Sequence, residues 1–196
     1  MLQRHFYTAG IAVRIALGVS MRHSLHYQAA KLAMGKLNAD EIKATIRDLV
    51  DGGFYLDAFL DALDNSRPRL DEVLPGLLAA FSHDGIIVPD KERAVWILIE
   101  HHLKAIAAGK SDPLEELSKL IADVYWDYDF HTPTKEYLGD SHGIEHLIGA
   151  YWKADDLREN AEGKGPNAAA SVDKWAELRN QVVLQSKRWL ATGGDA

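Results

Sequence analysis

Apolar residues recur at three- and four-residue intervals along most of the chain, and strict two-residue alternation is scarce, so the pattern predicts helices almost throughout. An early helical region covers Phe6–Val19 and then Leu25–Lys36, with a break at Gly18 and Ser20; its first part also reads as a strand. Asn38 and Glu41 form a capping box, after which Ile42, Ile46, Leu49 and Val50 share one face and Gly52-Gly53 closes the helix. Leu56, Phe59, Leu60 and Leu63 give the next stripe, ended by the turn Asn65-Ser66-Arg67-Pro68. Another stripe follows at Leu74, Leu77, Leu78 and Phe81, with Pro75 tolerated near a first turn.

After the short extended run Ile86–Pro89, Asp90 caps a long helix through Val95, Trp96, Leu98, Ile99, Leu103 and Ile106, the most deeply buried one expected, which Gly109 ends. Asp112 at the N-cap, Pro113 at the first position and Glu115 at the third start a helix bearing Leu117, Leu120, Ile121, Val124 and Tyr125. An aromatic and acidic connection, Trp126–Gly139, leads to a helix over Ser141–Leu157. The last helix carries Trp175, Leu178, Val182, Gln185 and Trp189 at heptad-like spacing, which suits docking on the core or pairing with a second copy as a homo-oligomer. The pattern as a whole predicts an all-α fold of seven to nine helices, antiparallel hairpins forming a bundle or a short solenoid. It divides as a helical domain over 1–158 with a basic N-terminal segment, a linker over 159–171 that contains Gly163, Gly165 and Pro166, and a C-terminal amphipathic helix over 172–191.

Charge changes this picture more than composition does. Of 196 residues, 47% are hydrophobic and 26% charged, ordinary for a globular chain, and the net charge is −7. Residues 1–39 hold five basic residues and no acid, whereas the remainder has 17 basic and 29 acidic residues, a net of −12. A basic first helix packed on an acidic body is the expected arrangement. Such a body is a poor partner for nucleic acid, whose binding draws on clustered cations, and a good one for a basic protein. The absence of cysteine removes disulfides, thiolate nucleophiles and cysteine-ligated zinc, and fits a cytoplasmic location. The longest apolar stretch, Ile11–Val19, carries Arg14 and falls short of the roughly 18–20 residues of a membrane span.

Two patterns have the form of a metal site. His142-Gly143-Ile144-Glu145-His146 fits the H-x-x-E-H arrangement of inverted zinc peptidases, in which two histidines one helical turn apart hold a divalent metal such as zinc and the glutamate is the base for water. On a regular helix His142 and His146 face away from the apolar side formed by Ile144, Leu147, Ile148 and Tyr151. A third ligand would come from Asp155, Asp156, Glu159, Glu162 or Glu177, and the sequence does not select among them. His83-Asp84 is the doublet of all-helical metal phosphohydrolases, but it precedes Gly85 and so reads as a helix C-terminus with a histidine at the negative end of the dipole. His101 and His102 point about 100° apart, and one of them is expected to be a hydrogen-bonded near-core histidine.

The least ordinary region runs from Asp123 to Asp156, where aromatic residues alternate with carboxylates. Seven of the 17 aromatics lie between Tyr125 and Trp152. Rings that supply buried area, surrounded by acids that steer a basic partner, have the composition of a protein interface; its candidate residues are Trp126, Asp127, Tyr128, Asp129, Tyr137, Asp140 and Trp152. Tyr125 and Tyr151 fall on expected core faces, so a core turn with inward rings is the competing arrangement.

The stretch Glu136-Tyr137-Leu138-Gly139-Asp140-Ser141-His142, continued by Leu147–Trp152 and preceded by Ala94–Leu98, resembles bacterial all-helical immunity-type proteins encoded beside polymorphic toxins, over residues 70–157. The resemblance implies a cytoplasmic, non-enzymatic protein without a cofactor that occludes a toxin, often a basic nuclease. Two classes of function are thus expected: an acidic helical binding protein, and in second place a small metal-dependent hydrolase using His142, Glu145 and His146 or His83 and Asp84.

Overall fold

The computed structural model describes residues 22–64, 66–128, 142–162 and 168–193. The expected element at Phe6–Val19 lies outside them. Among the described residues the chain is all-α: a helical stretch over 22–33 (α1), then α2 (Ala39–Asp51), α3 (Phe59–Asp64), α4 (Leu70–Asp84), α5 (Lys91–Ala107), α6 (Pro113–Leu120), a π-turn (Ile121–Tyr125), α7 (Glu145–Glu162) and α8 (Ala168–Thr192). These fall within the seven to nine helices expected. None is long and apolar enough to cross a membrane.

Local side-chain chemistry starts several of these helices where the sequence places the caps. The Asn38 carboxamide oxygen accepts the Glu41 N–H at 2.8 Å, Asp90 accepts that of Arg93 at 2.8 Å, and Asp112 accepts those of Leu114 and Glu115 at 2.9 and 3.2 Å. Each satisfies a donor that the first turn leaves open, worth about 1 kcal/mol.

The chain forms two compact units, 1–94 and 95–196, divided inside α5. In the first unit, Leu25 and Ala29 of α1, Ile42, Ile46 and Leu49 of α2, Phe59 and Ala62 of α3, and Val73, Leu77, Ala80 and Phe81 of α4 close one apolar core with Ile86. Ion pairs from Arg22 to Asp84 (3.5 Å) and from the buried Lys31 to Glu41 (2.6 Å) tie the basic first helix to α4 and α2.

The face of α4 differs from the expected stripe: Leu78 is 43% exposed, while Val73 and Ala80 are buried. Gly76 is the reason. A Cβ there would lie 3.0 Å from the Ala58 carbonyl oxygen and 3.0 Å from Ile46 Cδ1, so α4 meets the chain before α3 at its glycine. At about 100° per residue, Leu78 then points away from the contact, while Leu74 stays partly buried against the core. Leu60, expected in the α3 stripe, is exposed. Pro75 is the sixth residue of α4, inside the helix rather than in its first turn.

In the second unit α6, α7 and α8 pack on one another. The C-terminal helix buries Leu178, Val182, Ser186 and Trp189 in its own unit, and Arg179 reaches Asp112 at the start of α6 (2.8 Å). Helix continues into the stretch expected as a linker, since α7 runs to Glu162 and α8 begins at Ala168; the glycines and proline of that stretch lie outside the described residues.

The two helical glycines Gly76 and Gly149 should respond oppositely to alanine. Ala is favoured over Gly in a helix by about 1 kcal/mol. At Gly149, exposed on α7 with nothing within 4 Å of an added Cβ, that gain should appear in full as a higher denaturant midpoint. At Gly76 the overpacking against a backbone oxygen, about 1–3 kcal/mol, should outweigh it and lower the midpoint. A stabilised Gly76→Ala chain would show that α4 can move off Ala58.

Candidate functional site

The second unit concentrates its polar and aromatic chemistry at the end of α6. Glu116 and Asp123 are seven residues apart, about two helical turns, and so lie on one side of the α6–π segment. His102 of α5 fits between them. Its Nδ1–H donates to Glu116 Oε1 at 2.7 Å and its Nε2–H to Asp123 Oδ2 at 3.0 Å. The imidazole side chain is only 2% exposed. Ionised carboxylates only accept, so the form of the ring that satisfies both of them is the imidazolium, with a proton on each nitrogen. The second oxygen of Glu116 accepts from Ser111 Oγ and Lys119 Nζ, each at 3.1 Å.

Burial works against the charge on His102, but the hydrogen bonds and attraction of Asp123 and Glu116 outweigh it and raise its pKa above 6.5. The hydrogen bond from His102, aided by Lys119 and opposed by burial, lowers Glu116 from 4.5 to about 2. With both of its ring nitrogens engaged by carboxylates, His102 is an internal tie rather than a general base. Its partner Asp123 lies in the π-turn, a rare widened turn that often marks functional positions.

Past the buried Val124 the chain reaches the surface. Tyr125 is half-buried, Trp126 is 62% exposed, and Trp152 of α7 is 41% exposed. Their rings meet edge to face: Tyr125 and Trp126 at 5.0 Å, Trp126 and Trp152 at 6.1 Å, Tyr125 and Trp152 at 6.4 Å, with Tyr151 against Trp152 at 5.2 Å. Asp127 follows Trp126 in sequence and is exposed, while Asp155 and Asp156 stand three and four residues beyond Trp152, neighbours on the α7 surface. Between Asp123 and Glu162 the chain has ten acidic and three basic residues, a net of −7 that equals that of the whole protein.

The structure thus brings together Trp126 and Trp152, 26 residues apart in sequence, with Asp127 beside them. Tyr128 sits apart from that cluster, half-buried with its ring 5.4 Å from that of His142. Asp129, Tyr137 and Asp140 lie outside the described residues.

His142 and His146 are not on one helical face, because α7 starts at Glu145 and His142 occupies the preceding turn with φ 51°. His142 is buried, stacked on Trp96 at 4.5 Å, and its carbonyl accepts the Trp189 Nε1–H at 2.6 Å; His146 is exposed. Gly143, also at positive φ (72°), explains why the helix expected from Ser141 begins later. No three His, Asp or Glu residues among those described are grouped to hold a metal. His83 and Asp84 are 3.3 Å apart in the last turn of α4, with His83 edge-on to Phe54 and Gly85 as a left-handed cap.

Sequence reasoning expected one near-core histidine at 101–102 but not its partners. The available signal was two acids at a seven-residue spacing, flanking the apolar stripe Leu117-Leu120-Ile121-Val124. No protein-family model matches the chain, and no curated protein or solved structure matches it either.

The signs of the two shifts predict a stability maximum. The raised pKa of His102 gives stabilisation that is complete below pH 6.5 and lost as pH rises through its folded value. The lowered pKa of Glu116 gives stabilisation present above pH 4.5 and lost as pH falls towards 2. Unfolding free energy from urea titrations should therefore peak between these limits. His102→Leu should cost about 3–5 kcal/mol, because it leaves two buried carboxylates facing each other, and should abolish the alkaline decline. An alkaline decline of unchanged size in the variant would assign that titration to another group.

Proposed function

We propose that the protein is a non-enzymatic binding protein of the immunity type, which docks a basic protein through the surface formed by Trp126, Trp152, Tyr125 and Tyr151 and occludes it. The observation that carries this reading is the exposed tryptophan pair. A single exposed apolar side chain is ordinary, but two exposed tryptophans in mutual contact form a contiguous patch of the kind that marks interaction sites. Tryptophan is also the residue most enriched among interface anchors, since it brings a large apolar area and few degrees of freedom.

Charge favours a basic occupant. The segment that carries the rings holds the protein's whole net negative charge, which would speed encounter with a cationic surface and oppose an acidic one. Occlusion needs complementarity rather than a reactive group, and the tie at His102 fits a protein whose buried ions serve shape. In this role the protein acts in the cytoplasm of the producing cell, needs no cofactor, and meets a partner such as a toxin nuclease encoded beside it.

The test is binding of the basic product of the neighbouring gene, measured by calorimetry with wild type, Trp126→Ala and Asp127→Lys. Trp126→Ala should cost about 2 kcal/mol or more, roughly thirtyfold in Kd. Asp127→Lys should slow association and flatten the dependence on salt. Binding that is indifferent to both substitutions, or a partner that is acidic, would remove the proposal.

A further inference from the structure

We infer that His102, clamped between Glu116 and Asp123, is a positioning residue that sets the orientation of Tyr125 and Trp126 on the protein surface. The inference rests on the proposed binding surface for its purpose but not for its test.

The argument begins with the π-turn. Asp123 lies in its middle, Tyr125 is its last residue, and Trp126 is its C-cap, at φ −84° and ψ −16°. In a regular helix three residues advance about 300°, which would bring residue 126 back to within about 60° of the buried side that Asp123 faces. A π-turn advances less per residue, so it leaves Trp126 further round, towards solvent. The widened turn therefore exposes the ring, and whatever holds the turn open holds the ring out.

Ile121 and Val124 are buried in that turn, but apolar burial is non-directional and tolerates a slide of register. The Asp123 carboxylate is different, because its hydrogen bond to His102 Nε2–H has a direction and a length of 3.0 Å. His102 in turn cannot follow a moving aspartate. Its other nitrogen is held at 2.7 Å by Glu116, and Glu116 is held by Ser111 and Lys119. Among the described residues, charged and titratable groups that face His102 include Glu116 from α6, with Lys119 behind it, Asp123 from the π-turn, and His101 from its own helix, edge-on at 5.5 Å.

Loss of one proton leaves His102 with a single N–H for two carboxylates. One end of the clamp then loses its donor, and its loss at the Asp123 end removes the hold of α5 on the turn and weakens the preference for the widened spacing. The exposure and direction of Trp126 therefore follow the protonation of His102.

Trp126 and Trp152, 6.1 Å apart with planes at 85°, report on this without any partner. Two tryptophans so placed give an exciton couplet in circular dichroism, isolated as the difference between wild type and Trp126→Phe. In folded Asp123→Asn the couplet should fall at least by half and lose its dependence on pH, while the helical signal stays. In wild type it should decay as pH rises, in step with the His102 titration followed by NMR, and in Glu116→Gln the same decay should occur at lower pH. A couplet of wild-type size in folded Asp123→Asn would overturn the inference. Should that variant not fold, a couplet in the wild-type protein that stays constant while His102 titrates would overturn it equally. Neither result bears on whether a basic protein binds, and absence of a partner would leave the positioning intact.

Discussion

Taking two carboxylates and an imidazole out of water costs several kcal/mol for each ion, and only close geometry with every polar atom engaged recovers it. His102, Glu116 and Asp123 meet that requirement, with hydrogen bonds of 2.7 and 3.0 Å and two further donors on the spare oxygen of Glu116. The consequence for the second unit is one of register. Leu98, Ile99, Leu103 and Ile106 on α5, and Leu114, Leu117 and Leu120 on α6, are buried by a force that hardly distinguishes small shifts along the helix axis. An imidazolium between two carboxylates distinguishes them sharply, because a shift that lengthens either hydrogen bond leaves a buried charge exposed to its own desolvation cost.

The first unit solves the same problem of register by sterics. Its core cluster is apolar, and α4 meets it by the close approach of Gly76 to the Ala58 carbonyl, with an ion pair at its end, from Asp84 to the exposed Arg22. Lys31, a strongly buried cation among the unit's described residues, is paired with a half-exposed Glu41 at the rim. The second unit also packs large aromatic rings on one another at the entrance to α7. Trp96, His142 and Trp189 lie against one another, and the hydrogen bond from the Trp189 indole to the His142 carbonyl holds a left-handed residue in place at the entrance to α7. A histidine at φ 51° stores strain, and that contact offsets it.

Much of the fold was legible because it follows from local chemistry. The caps at Asn38, Asp90 and Asp112 and the terminators at Gly85 and Gly109 act within one turn, so the residues alone locate them. What depends on a distant partner was less legible. The stripe of α4 was misplaced by the approach at Gly76, which involves residues 18 and 30 positions away, Ala58 and Ile46. His142 looked like a surface ligand because helical periodicity was continued through Gly143, whose positive φ breaks it. The site divides in the same way. The aromatic and acidic composition of the 123–156 stretch was plain, yet the meeting of Trp126 with Trp152 and the inward turn of Asp123 depend on α7 and α5.

The acids of that stretch look alike in sequence and have two destinations. Asp123 is buried and spends its charge on His102; Asp127 and Asp156 are exposed and contribute to the external field. The sorting takes place within five residues, and ordinary helical geometry is ill suited to it, since positions 123 and 127 of an α-helix would lie on nearly the same face. The helix ends at Tyr125 with Trp126 as its C-cap, so Asp127 lies past the last turn and follows the direction in which the chain leaves the helix rather than the face that Asp123 occupies. A π-turn is costly on its own account because its backbone geometry is unfavourable and rarely sustained. The buried imidazolium supplies a directional interaction of the size needed to hold it. The internal charge and the external aromatic surface are therefore set by neighbouring positions of one short segment, the π-turn and the chain that leaves it.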